Sequence, residues 1–399
     1  STAVGRESWR EGAGVILLML AGLTLPLSTT LGCTVFPFAA TAMWLMSGQF
    51  MKLPSLLRHN PVAAFCVGLF LWLALASLYS EADFSSALSG LKKYRELALV
   101  PVFLGILAVA KNRRRVLHMF AAGMSLALLA SFAQAGKILP LYHGQAAPSS
   151  YITHGTLMAW LAFWLLHEAK RRGGWLPWIG VIFVGINVFM IVGSSTGTVL
   201  LLACVILFTI QVLPFRRAVL ASLGLLIMML MLLAFSKQFR GLVQSDLQSW
   251  QQANKDVPGR GGVDQRLEFW RNTMGIIKEA PFLGHGMGSY SGQYNRLVSD
   301  TNFTPTSNPH NEYLMLWAQA GFPAVVLLIL IFIWQWRQSS GVERCLGQGF
   351  VVLFGLGCVF NSFILDSREG ILFALMTAVL YPTPALYNRA ESPQKNHEC

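Results

Sequence analysis

The chain has 399 residues, of which 54% are hydrophobic and 12% charged, with a net charge of +12. So few charges cannot cover a soluble globule, in which about a quarter of the residues are charged, and composition therefore points to a bilayer as the solvent. The positive balance does not indicate nucleic acid, because the basic residues fall in small clusters between apolar runs, the pattern of membrane orientation signals.

The first apolar run, 14–30, follows Arg6 and Arg10 in the manner of a signal peptide. No convincing small-residue cleavage site is present and another apolar run follows directly, so a retained anchor is expected. Further windows of about 20 apolar residues fall at 32–48, 61–80, 91–110, 116–136, 154–167, 175–193, 196–213, 218–235, 311–336, 345–365 and 371–387. The reading is an all-α integral membrane protein with about twelve transmembrane helices and both termini on one side. Alternate connections carry Lys52 and Arg58; Lys111, Arg113, Arg114 and Arg115; Lys170, Arg171 and Arg172; Arg216 and Arg217; Arg337 and Arg344. The positive-inside rule makes these connections cytoplasmic, and the tails with Arg389 and Lys395 agree. On the outside lie Glu81 and Asp83, the 137–153 loop, a tight turn near Ser194, a hairpin around Arg368, and the long polar stretch before Pro309. The expected organisation is transmembrane helices over 1–235, an extracytoplasmic loop domain over 236–309, transmembrane helices over 310–387 and a cytoplasmic tail over 388–399.

Within the long loop, Asp264 can cap a helix running to Ala280, with Leu267, Trp270, Met274 and Ile277 as an apolar stripe at helical spacing. Pro281 stops it. The 258–262 tract before it reads as flexible, and Gly284-His-Gly-Met-Gly288 after it reads as a turn. The six cysteines lie mostly in apolar runs and suggest packing rather than a disulfide framework.

Several clusters can carry chemistry. Lys92, Lys93 and Arg95 stand at the outer mouth of the fourth window, against the charge bias of the rest of the chain. They either snorkel to lipid headgroups or form a socket for an anionic group. Arg266 and Arg271 of the loop helix are five residues apart, so they lie on different faces and need not share a ligand. Guanidinium is the group best suited to bidentate contact with phosphate. Asn308 reads as an N-cap and Pro309 as a first-turn residue, which puts His310 at a helix N-terminus. The positive end of a helix dipole disfavours imidazolium and attracts anions, a setting that suits a base, although a lone histidine in a capping turn is more often a polar surface residue. Of the eight histidines, only His143, His154, His285 and His310 fall outside, and His310 alone has this context. No Walker-type glycine loop, Asp-x-Asp pair or His-x-x-x-His pair suggests a nucleotide or metal site. The 193–197 small-residue stretch reads as a tight turn with close helix packing, and Gly321-Phe-Pro323 as a kink.

Three stretches, read in order, resemble the O-antigen ligase and polymerase superfamily. These are Lys93-Tyr94-Arg95 opening a helix, Arg266 to Trp270 running into Pro281-Phe-Leu-Gly-His-Gly-Met-Gly288, and His310-Asn-Glu-Tyr-Leu314 leading to Gln319-Ala-Gly321. Relatives often carry an arginine where this chain has Ser194-Ser195-Thr196, which is a departure. The resemblance implies a GT-C-like, inverting, metal-independent glycosyltransferase of the bacterial inner membrane, without cofactor and with a mainly helical periplasmic loop domain. Its donor would be a glycan on undecaprenyl diphosphate and its acceptor the lipid A-core of lipopolysaccharide. His310 and Arg266 would be catalytic, with Lys93, Arg95 and Arg266 on the diphosphate and Lys92, Arg271 and Tyr313 as further candidates. A polymerase or a protein O-oligosaccharyltransferase would use the same donor machinery. A transporter would place charges near the midplane with symmetry between halves, and an assembly subunit gives no reason for His310 beside Arg266.

Overall fold

A computed structural model describes residues 2–235 and 263–383. The 258–262 tract and the 388–399 tail lie outside the described residues. The elements are α1 (Thr2–Thr24), α2 (Phe36–Met46), α3 (Leu53–His59), α4 (Pro61–Leu78), α5 (Phe84–Lys92), α6 (Glu96–Ile106), α7 (Ala110–Ala135), α8 (Tyr151–Arg172), α9 (Leu176–Ile186), α10 (Ser195–Val212), α11 (Phe215–Phe235), α12 (Val263–Glu279), α13 (Tyr290–Val298), α14 (Glu312–Gln338), α15 (Arg344–Phe360) and α16 (Ser367–Leu380). A π-helical turn, Thr30–Val35, leads into α2, and another, Asn187–Val192, extends α9. Among the described residues no named element is a strand.

Local chemistry explains the helix starts. Asn60, Asp83, Ser150, Ser194 and Asn311 each accept a first-turn backbone N–H through the side chain, satisfying donors that a helix leaves unpaired. Exposed Leu71, Leu129, Ile182, Met190, Ile210 and Leu220 sit on the outer faces of their helices, surface that lipid rather than water accommodates. The protein is a multi-pass membrane protein. Four described helices are long and apolar enough to cross a bilayer: Pro61–Leu78, Ala110–Ala135, Ser195–Val212 and Glu312–Gln338. A fifth span results if Thr30–Met46 and Gln49–His59, bent by 81°, count as one. Other expected windows are shorter or broken. The 91–110 window is interrupted between Lys92 and Glu96, and α16 is buried from Arg368 to Leu380 yet reaches only about 21 Å at 1.5 Å per residue.

The connections sort to two ends. At one end Arg114 pairs with Glu343 at 2.9 Å, Gln211 Nε2 donates to Cys345 O, and Asn60 Nδ2 donates to Tyr381 O. At the other end Thr153 donates to Glu369, Arg368 to Thr29, and Glu81 meets His285. The basic 111–115 and 337–344 connections therefore share an end, opposite His310. The small-residue turn behaves as expected, since a Cβ on Gly197 would lie 2.7 Å from Gly155 Cα where α8 meets α10.

Two local expectations are corrected. Of the expected stripe on α12, Ile277 is buried and Trp270 packs on the core, but Leu267 and Met274 are 44% and 38% exposed, and Phe269, Thr273 and Ile276 complete the inner face instead. Phe269 and Thr273 seat against Tyr294 and Tyr290 of α13, and a hydroxyl that bonds within the interface outweighs the apolar count of the alternative stripe. The cap of α14 is Asn311, not Asn308. His310 precedes the cap with φ 52°, a left-handed conformation that cannot continue a helix. The side chain of Asp264 lies outside the described residues.

Candidate functional site

The kink in α14 builds the floor of the site. Pro323 has no N–H to give Gln319 O, and Phe322 N turns away from its helical partner to bond Pro281 O at 3.1 Å. The carbonyls so released are taken by the glycine turn, with His285 N donating to Ala318 O at 3.0 Å and Gly286 N to Gln319 O at 2.8 Å. Gly321 makes this seat possible: its φ is 75°, and a Cβ there would stand 2.0 Å from Phe282 O. The His285 ring then bridges Glu81 Oε1 at 2.7 Å and Ile276 O at 3.1 Å, which ties α12 to the turn after α4. This bond from His285 is the main reason the Glu81 carboxyl is held below its ordinary range.

A single carboxylate joins the next three pieces. Glu312, fully buried at the head of α14, accepts from Tyr94 Oη at 2.8 Å and from the backbone N–H groups of Ile364 and Leu365 at 2.8 and 3.2 Å. The Lys93-Tyr94-Arg95 turn, the start of α14 and the α15–α16 connection are thereby fixed against one another.

His310 is half-buried in this frame. Trp270 Nε1 donates to Pro309 O at 3.0 Å, and the His310 ring stacks on Phe269 with centroids 6.2 Å apart. Asn308 Oδ1 accepts from His310 N and from Ser362 Oγ, each at 2.8 Å. The ring Nδ1 lies 3.0 Å from Asn361 Oδ1, and Asn361 Nδ2 donates to Asp366 Oδ2 at 3.0 Å.

The expected cations divide into two groups. Arg266 is half-buried on α12, one turn before Phe269, and burial pulls its guanidinium below its usual value. It stays charged in any protein setting, and no hydrogen bond or ion pair reaches it among the described residues. Lys93 is exposed and acts on the Asp366 carboxyl, as His310 also does. Arg266 is thus linked to the histidine through Phe269, on which His310 stacks, and Lys93 through Asp366, which both it and His310 face. Arg95 instead turns to Glu96 at 3.3 Å and to the Phe38 ring at 5.5 Å. Lys92 and Arg271 are exposed, and Tyr313 Oη donates to Gly355 O at 2.9 Å, a helix-packing contact. Sequence reasoning missed Phe269, Asn361 and Asp366. Among the described residues, no group of three or more His, Cys, Asp or Glu side chains is arranged to hold a metal ion.

Residues 180–329 match the family model described as O-antigen ligase. The match takes in Arg266, the 281–288 turn, His310 and Tyr313, and is consistent with the O-antigen ligase superfamily to which the motifs pointed. An uncharacterized protein of Haemophilus influenzae is 31% identical over 94 residues, which span 23% of this chain and 23% of that protein.

Proposed function

We propose that this protein is an inverting glycosyltransferase that moves an O-antigen glycan from undecaprenyl diphosphate to the lipid A-core oligosaccharide of lipopolysaccharide. The observation that carries the reading is His310 stacked on Phe269, one helical turn from Arg266: a potential base packs on the helix that carries a desolvated cation. The chemistry asks for that pair. A diphosphate leaving group is ionised at neutral pH and needs cations, while the acceptor hydroxyl needs a base.

In the proposed step His310 takes the acceptor proton as the acceptor oxygen attacks the anomeric carbon. The bond from that carbon to the phosphate oxygen breaks, and its electron pair leaves with the diphosphate, whose charge Arg266 and Lys93 offset. Single displacement inverts the anomeric centre. Fixed cations in a low-dielectric cleft take the part that a divalent metal plays elsewhere. Arg95 is more remote, through its contact with Glu96, and has a smaller share. The setting is the bacterial inner membrane, with about twelve spans, cytoplasmic termini and the 236–309 loop in the periplasm.

Purified protein supplied with lipid-linked glycan and rough lipopolysaccharide, in excess EDTA, tests the assignment. A glycan ladder on the lipopolysaccharide is expected. Growth of the glycan on its carrier would make the protein a polymerase, and turnover that returns only with magnesium or manganese would refute metal independence.

A further inference from the structure

The connection between α15 and α16 contributes a group that no motif announced. Asn361 ends α15 with its backbone N–H on Gly357 O and an extended backbone at φ −158°. Its buried amide lies between the His310 ring and the Asp366 carboxylate, at 3.0 Å from each. An amide has unlike ends. An ionised carboxylate can only accept, so the NH2 must face Asp366 and the carbonyl oxygen must face the ring. That oxygen can also only accept, so the proton on the ring belongs at Nδ1. The reversed amide would set oxygen against carboxylate and forfeit a charge-assisted hydrogen bond. Asn308 reinforces the arrangement by holding His310 N and Ser362 Oγ on one oxygen, which fixes the backbone on both sides of the contact.

We propose that Asn361, oriented by Asp366, is a positioning residue that fixes His310 as the Nδ1–H tautomer and leaves the Nε2 lone pair to take the acceptor proton. The inference rests on the reading of His310 as the base. A neutral amide conveys orientation without setting a full negative charge against the ring, so the imidazole is aimed but not ion-paired. Asp366 itself faces Lys93 from the turn before α6, His310 and Glu312 at the head of α14, Tyr94, and Glu369 of α16. Burial raises its carboxyl above the ordinary range, and a protonated His310, the Asn361 amide and Lys93 offset only part of that rise. The device is therefore expected to fail in mild acid, where a protonated Asp366 no longer dictates which way the amide points.

The test uses full-length protein in nanodiscs, with single-turnover transfer measured across pH alongside donor binding. Asn361→Leu should slow transfer about 10- to 10³-fold, within the range that general-base catalysis supplies, with donor binding retained. Asn361→Asp keeps an acceptor for Nδ1, but its second oxygen meets Asp366 Oδ2 where the amide donated, so it should recover only part of the rate. By adding a negative charge it should also move the acid limb of the pH–rate profile to higher pH. Nitrogen-15 NMR of labelled histidine, with the His310 signal assigned by its loss in His310→Gln, should show a protonated Nδ1 in the unmodified protein. An Nε2-protonated ring overturns the proposal whatever the variants do. So do Asn361→Leu and Asn361→Asp proteins with unmodified rates and profiles while His310→Gln is inactive. Normal turnover in His310→Gln would instead remove the base reading on which the inference rests.

Discussion

Arg266 and Arg271 sit on one helix, and their different burial decides which of them matters. Arg266 is half-buried and desolvated, whereas Arg271 is exposed. A desolvated cation that meets no acidic partner among the described residues gains most from an arriving phosphate. Arg266→Ala is expected to lower transfer about 10- to 100-fold, the worth of a charged hydrogen bond of about 1.5–3 kcal/mol. Arg266→Lys should recover only part, because a point charge does not reproduce the bidentate fork. Arg271→Ala should stay near the unmodified rate in the same assay, and full activity in Arg266→Ala would reduce that residue to a solvated helix face. The two arginines and His310 could be found in the sequence because each stands in a short polar stretch with its own local pattern. Asn361 and Asp366 could not. They close or follow an apolar window, and Asn361 reaches a histidine 51 residues away, a pairing to which no periodicity points. The inner face of α12 is only half legible, through Trp270 and Ile277, for a related reason. Counting apolar residues discards Thr273, whose hydroxyl bonds Phe269 O at 2.6 Å and Tyr290 Oη at 2.8 Å.

At the scale of elements, the kink of α14 and the glycine turn form one device. Proline and glycine in the helix release two carbonyls, and residues 285 and 286 take them. Both halves were readable as turn or kink signals, Gly284-His-Gly-Met-Gly288 and Gly321-Phe-Pro323. Their mutual fit was not, because it depends on the direction in which freed carbonyls point. Gly321→Ala should unseat the turn, since φ 75° and a Cβ 2.0 Å from Phe282 O leave it no room. The strain alone costs about 1–3 kcal/mol. Amide exchange over 281–289 should quicken and transfer should fall, whereas unchanged exchange would show that the turn does not depend on the kink. The 91–110 window taught the opposite lesson. Its apolar composition reads as one helix, but the chain turns between Lys92 and Glu96 so that Tyr94 can reach Glu312.

For the whole molecule, charge patterning is the source of the proposed orientation, because orientation in a bilayer depends on where lysine and arginine fall rather than on packing detail. The basic connections at 111–115 and 337–344 do meet at one end, through Arg114 and Glu343, and His310 lies at the other. Cysteines introduced at 114 and 171 should accordingly label from the cytoplasm and those between 265 and 305 from the periplasm. The reverse pattern would invert the proposed topology and separate the base from its substrates. The span count was less legible, since α16 is apolar from Ile371 onward apart from Thr377, yet the helix has only 14 residues and is buried within the bundle, a distinction that composition does not make. The most direct measurement on the molecule compares donor binding and single-turnover transfer in unmodified and His310→Gln protein. Glutamine keeps a hydrogen bond but takes no proton at neutral pH, so binding should persist while transfer falls about 10²- to 10⁴-fold. A His310→Gln protein that transfers glycan at nearly the unmodified rate would contradict the assignment of His310 as the base.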